Sequence, residues 1–199
     1  MEKQSVFDKN KSDTESMLTA LLEGARDALA AQGMLLSTQI NFYNNRLSRY
    51  GLVIQPDGMV YEYADDFAPA KKEPTPINLK QPVKLSDATI ESATAFNMAL
   101  YNMSMNKVLK ASLVGTDLIR SSLGQTMASI PTKSMSKARQ DRLATTLASS
   151  AFRFMVGTAE ITNLYKFGSP SPTTFKALNP DAYTVADSIA RDLVQDNVM

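Results

Sequence analysis

The chain has 199 residues, a formal net charge of +1, and no Cys, His or Trp. That length has room for a real core, in one large domain or two small ones. Without Cys there is no disulfide and no thiolate chemistry. Without both Cys and His, the usual zinc, haem, iron–sulfur and copper sites are excluded, so no cofactor and no metal centre is expected.

Charge is unevenly spread. Residues 1–30 carry four basic and six acidic side chains, and residues 170–199 carry two and four. Between Asn97 and Ala159 eight basic residues face only Asp117 and Asp141. The polar start Met1-Glu2-Lys3-Gln4-Ser5 lacks the apolar run of a signal peptide. No run of about 18 apolar residues suggests a membrane span. The expectation is a soluble, cytoplasmic protein made without secretory export.

Residues 1–11 are polar and mixed in charge, and read as a flexible N-terminal arm. It is either a frayed tail or a segment that orders against a neighbouring subunit. Residues 12–199 then form a single helical domain. Ser12-Asp13-Thr14-Glu15 has the spacing of a capping box. Behind it Leu18, Leu22, Ala25, Leu29, Gly33, Leu36, Ile40, Tyr43, Leu47 and Tyr50 recur at steps of three and four. That period predicts one long helix from Ser12 to Tyr50, on the order of 55 Å, closed by Gly51 as a left-handed cap.

Residues 52–63 predict a β-hairpin. Pro56, Asp57 and Gly58 suit the corners of a turn, and both flanks are rich in β-branched and aromatic residues. A lone hairpin is marginal in water, so it must lie on its own helices or pair with another copy. Pro69, Pro74, Pro76 and Pro82 make the next stretch an extended strap. Its apolar residues favour docking, on this chain or on a neighbour. Hairpin and strap together form an insert over residues 51–85. Tyr61, Tyr63, Phe67, Ile77 and Leu79 are its candidate subunit contacts.

A second long helix is predicted from Ser86 to Ile130, with Leu85 and Ile90 as a hydrophobic staple and Gly115 and Gly124 as weak points. It carries two stripes. Ile90, Ala93, Leu100 and Met103 lead one; Met98, Tyr101, Met105, Val108, Ile119 and Leu123 mark the other. A helix apolar on two faces is usually buried between partners. A third helix runs from Ser134 or Ser136 to Phe167, ended by Gly168. Ser169-Pro170-Ser171-Pro172 is a second strap. A short last helix starts at Asn179-Pro180-Asp181, with Ala182, Ala186, Ile189 and Leu193 on its stripe and Asp187 paired to Arg191.

The predicted fold class is mainly α: an elongated bundle of three long helices and one short C-terminal helix, with one hairpin and two proline straps. The strongest candidate site is Lys133, Lys137, Arg139 and Arg142. These four cations sit in a helix break and the first turns beyond it, where the helix dipole favours anions. Their partner is either a nucleic-acid phosphate backbone, the acidic ends of a neighbouring subunit, or solvent. The cluster lacks the aromatic interleaving of single-strand binders and any recognition-helix motif, so DNA contact would be independent of sequence. Asp65-Asp66 beside Glu62 reads as a turn rather than a cation site. With no His base, no nucleophile elbow and no phosphate loop, an enzyme is not expected, and neither is a small-molecule substrate.

In its arrangement the sequence resembles small virion proteins of tailed bacteriophages, near the head-to-tail connector or tail. The residues that carry the resemblance are the helical rods around Leu18–Leu47 and Met98–Leu123, the Gln55-Pro56-Asp57-Gly58 hairpin and the extended Pro69–Pro82 segment. It implies a structural subunit of a symmetric ring of about a dozen copies around a DNA passage, contacting copies of itself and other virion proteins. Its location would then be the virion, assembled in the host cytoplasm. The alternative is a helical adaptor or a DNA-binding module without sequence preference, against which the near-neutral total charge counts.

Overall fold

A computed structural model describes residues 2–62, 77–156 and 180–198. It shows helices α1 (Glu2–Gln32), α2 (Ser37–Leu47), α3 (Asp87–Leu109), α4 (Gly115–Ser129), α5 (Lys137–Val156) and α6 (Pro180–Val198). A 3-10 turn over Ser48–Tyr50 leads into strands β1 (Leu52–Ile54) and β2 (Met59–Glu62), and β3 (Ile77–Asn78) follows. The chain is mainly helical with one small antiparallel sheet, as the sequence predicts.

The first two long rods are shorter than their periodicity suggests. The first breaks after Gln32, where Gly33 takes φ +77° and its amide donates to the Leu29 carbonyl at 2.7 Å. That left-handed residue ends the helix, and α2 turns back against α1. The break lets Leu18, Leu22, Ala25 and Leu29 on α1 share a core with Ile40 and Leu47 on α2, which one straight rod cannot do. Nor does the helix start at Ser12. It starts at Glu2, so residues 2–11 are helical rather than a loose arm, and Phe7 is buried in the main core. Burial of a Phe side chain is worth about 2 kcal/mol, more than the ~1 kcal/mol of a cap.

The second rod breaks at Lys110–Val114, and α4 folds back along α3. Polar side chains join the pair. Asn102 Nδ2 donates to Thr126 Oγ1 at 2.8 Å, and Asn106 Nδ2 to Ser122 Oγ at 2.9 Å. The expected capping box at Ser12–Glu15 lies inside α1 and caps nothing, whereas the starts of α3 and α5 are capped. Ser86 Oγ accepts the Thr89 amide at the start of α3, and Ser136 Oγ accepts the Arg139 amide at the start of α5. At 19 residues α6 is nearly as long as α5, so the last helix is not short. Its Arg191–Asp187 pair forms at 3.0 Å as the spacing predicts, and its stripe packs along α5.

The hairpin forms in the register Leu52↔Glu62, Val53↔Tyr61, Ile54↔Val60. Both of its edges are closed by the same chain. On β1, Asn44 imitates a strand: it accepts the Ile54 amide at 2.7 Å and donates to the Ile54 carbonyl at 3.0 Å. On β2, β3 pairs through Met59↔Asn78 and Val60↔Ile77. The described end of the first strap therefore docks on its own chain. Leu79 donates its amide to the Gly58 carbonyl at 2.9 Å and is 1% exposed. Ile77, Val83 and Leu85 pack on the same core. Pro69, Pro74, Pro76 and the second strap, together with the C-terminal end of the third predicted helix, lie outside the described residues.

Two cores result. One joins α1, α2 and the sheet around Leu22, Leu47, Ile54 and Leu79. The other joins α3, α4, α5 and α6 around Phe96, Leu123, Leu147, Phe152 and Ala186. Among the described residues no helix is long and apolar enough to cross a membrane.

Candidate functional site

The four predicted cations divide into two pairs. Lys133 is exposed in the connection before α5, and Lys137, on the first turn of that helix, lies 3.4 Å from Asp141. Arg139 and Arg142 turn inward to α3. Arg139 holds Glu91 with two guanidinium nitrogens, Nε to Oε1 and Nη2 to Oε2, each at 2.9 Å. Arg142 sends Nη2 to Glu62 Oε2 and Nε to Ser92 Oγ, both at 2.6 Å. The carboxylates that answer this cluster thus come from the same chain, on α3 and β2. A phosphate backbone would have to compete with a bidentate pair and a buried one.

Glu62 is the residue that sequence reasoning passed over. It lies on the inward face of β2 with Val60, and both are buried. Burial pushes its carboxyl above the usual range, while the Arg142 charge and hydrogen bonds from Thr89 and Arg142 oppose that rise. A carboxylate at an inward strand position is itself a signal, since it requires a buried cation nearby. The group ties the sheet to α3 and α5, and the space that Glu62, Ser92 and Phe96 line is only about 10 Å³.

The predicted subunit contacts are largely used internally. Leu79 is core, Ile77 is half-buried in β3, and Tyr61 is half-buried on β2. Leu79 is therefore not available to a neighbour. Tyr63 and Phe67 lie outside the described residues, as do Asp65 and Asp66. Among the described residues no group of three acidic side chains could hold a metal ion.

Among the described residues, a run of uncovered apolar side chains lies along the end of α3 and the bend after it. Of its two predicted stripes, Ile90, Ala93 and Met103 are buried, and Ile119 and Leu123 belong to α4 and are buried too. Of the rest of the other stripe, Met98 packs half-buried on the helical core, while Tyr101 is 60% exposed, Met105 36% and Val108 76%; Leu109 at 71% and, across the bend, Val114 at 69% add to that surface. Met98, Tyr101, Met105 and Val108 are spaced three, four and three, the period of a helix–helix seam. No charged residue occurs from Ser92 to Asn106. Beside the stripe, α1, α3 and α4 enclose a groove of about 320 Å³ lined by Asn10, Asn97, Asn102, Gln125, Met98 and Tyr101. Its lining is uncharged and rich in amides, which suits a neutral partner rather than DNA.

No protein-family model matches this chain, and no curated protein or solved structure is detectably similar to it. The uncovered α3 face is the feature from which a function can be argued. Met105, Tyr101, Val108, Leu109 and Val114 there and at the bend are each a third or more exposed, and Met98 beside them is half-buried. The largest contiguous apolar patch on a folded chain is often functional.

Proposed function

We propose that this chain is a structural subunit that associates with copies of itself in a symmetric assembly. The observation that carries the reading is the contrast between two well-filled cores and the open stripe from Met98 to Val114. A solvated helix face normally carries charge; here Ser92–Asn106 carries none, and Lys107 and Lys110 come only at the end of the helix. The arrangement of helices, hairpin and straps in the sequence supports placing the assembly in a tailed-phage virion, as a head-to-tail connector or adaptor component. A binding role for the Lys133–Arg142 cluster is weakened, because two of its four members are held by Glu91 and Glu62.

Light scattering on the purified protein over a range of concentrations tests the reading. A ring or a concentration-dependent oligomer is expected. A chain that stays monomeric and shifts DNA in a salt-sensitive way would replace this reading with the DNA-binding one.

A further inference from the structure

The joint between the sheet and the helical core holds more polar groups than its ion pair uses. Glu62 on β2, Ser92 and Phe96 on α3 and Thr146 on α5 line one small space. Thr146 is 1% exposed, and Ser92 and Glu62 are 7% each. The Thr146 hydroxyl is buried and has no hydrogen-bond partner among the described residues. Its neighbours on α5 behave otherwise. Thr145 donates to the Asp141 carbonyl at 2.8 Å, Ser149 to the Thr145 carbonyl at 2.9 Å and Ser150 to the Thr146 carbonyl at 2.9 Å. Each gives its proton to the carbonyl four residues back, the usual acceptor for a hydroxyl inside a helix. Of these four side chains, only Thr146 leaves that carbonyl, here the one of Arg142, unused.

A buried hydroxyl held dry loses its hydration and gains no bond in return. A second proton is in the same position. Ser92 Oγ accepts Arg142 Nε at 2.6 Å, and its own proton has no acceptor among the described residues. The third group is an acceptor. Glu62 receives Arg142 Nη2 on Oε2, and a carboxylate offers about four lone-pair sites in all. Two protons to give and one carboxylate to receive are what a single water molecule can join. It would accept from Thr146 and Ser92 and donate to Glu62, about the three bonds that a buried water makes. The size agrees, since the space is about 10 Å³, on the order of what one water needs. The charges agree too. A cation there would face Arg142 and an anion would face Glu62, so the occupant is neutral.

We infer that one water molecule is bound between Thr146 Oγ1, Ser92 Oγ and the Glu62 carboxylate, as a fixed part of the joint between the sheet, α3 and α5. It supplies the acceptor that both hydroxyls need. It also solvates the carboxylate of the buried ion pair, which lowers the cost of keeping that pair away from bulk water. The inference does not depend on how copies of the chain associate.

A high-resolution crystal structure of the wild-type chain, together with urea unfolding of Thr146→Val, tests the site. The structure should show one water about 3 Å from Thr146 Oγ1 and from Ser92 Oγ or a Glu62 oxygen. Thr146→Val keeps the shape of the side chain and removes the hydroxyl. It leaves the water with one partner fewer, and the folding equilibrium constant should fall about fivefold. A space without water density overturns the inference, and so does a Thr146 hydroxyl that donates to the Arg142 carbonyl. A Thr146→Val protein more stable than the parent overturns it as well, because that gain is the result expected when the substitution only removes a dry, unpaired hydroxyl.

Discussion

Arg142 on α5 meets Glu62 at the end of β2, Nη2 to Oε2 at 2.6 Å, with both side chains largely buried. The pair joins residues 80 apart in sequence and links the sheet core to the helical core. Serine 92 holds the same guanidinium through Nε, so α3 is tied in as well.

Removing the cation should be far worse than removing the pair. Arg142→Met leaves a buried carboxylate without its partner, and a loss of about 3–5 kcal/mol is expected. Arg142→Met combined with Glu62→Leu removes both charges and should recover much of that loss. Urea unfolding of the three proteins measures this. Equal losses in the single and double variants would mean that packing by the arginine stem matters more than charge.

The same carboxyl predicts a pH dependence. Its folded pKa is raised above 4.5, so the folded state holds this proton more tightly than the unfolded chain does. The contribution is therefore fully present below about 4.5 and is lost as pH rises through the folded value. Relative to Glu62→Gln, the wild-type protein should lose stability as pH rises from about 4.5 to the folded value. Denaturant midpoints of both proteins across the weakly acidic range test the sign. A slope in the other direction would show that the Arg142 charge outweighs burial.

Gly58 should not tolerate a side chain. It sits at φ +87°, and a Cβ built there lies 2.5 Å from Leu29 Cδ2. Gly58→Ala combines backbone strain with a clash in the core and should cost about 2 kcal/mol or more. Gly33→Ala has φ +77° but open space around it, and should cost less. Thermal unfolding of the two variants separates strain from clash.

The basic cluster should split in its response to charge reversal. Lys133→Glu is expected to leave stability within about 0.5 kcal/mol of the parent, because it changes an exposed side chain with no ion pair among the described residues. Arg139→Glu sets a carboxylate against Glu91 and should destabilise by about 1 kcal/mol, modest because Arg139 is partly exposed. Urea midpoints, read beside a DNA-retention assay, distinguish a structural role from a binding one. If both variants lose DNA retention at unchanged stability, the cluster is a contact surface.

Much of the architecture could be read along the chain because its causes are local. The hairpin follows from Pro56-Asp57-Gly58, the start of α3 from Ser86, and the Asp187–Arg191 pair from a four-residue spacing. Each depends on residues within about one helical turn or one tight turn. Periodicity also gave α1, α3 and α5 their apolar faces, but it overran the breaks after α1 and α3. A three-four pattern continues across a Gly bend as readily as along a helix, and only packing decides between them.

The sequence by itself determined that the chain is helical, where its one hairpin turns, and that it carries no Cys or His chemistry. The tertiary structure decided which apolar stripe of α3 is covered and which is left open. It also decided that Ile77 and Asn78 close the sheet edge, and that Arg139 and Arg142 are held by Glu91 and Glu62. Those outcomes join residues tens of positions apart. They depend on which surfaces meet when α2 and α4 fold back, and no local spacing encodes that.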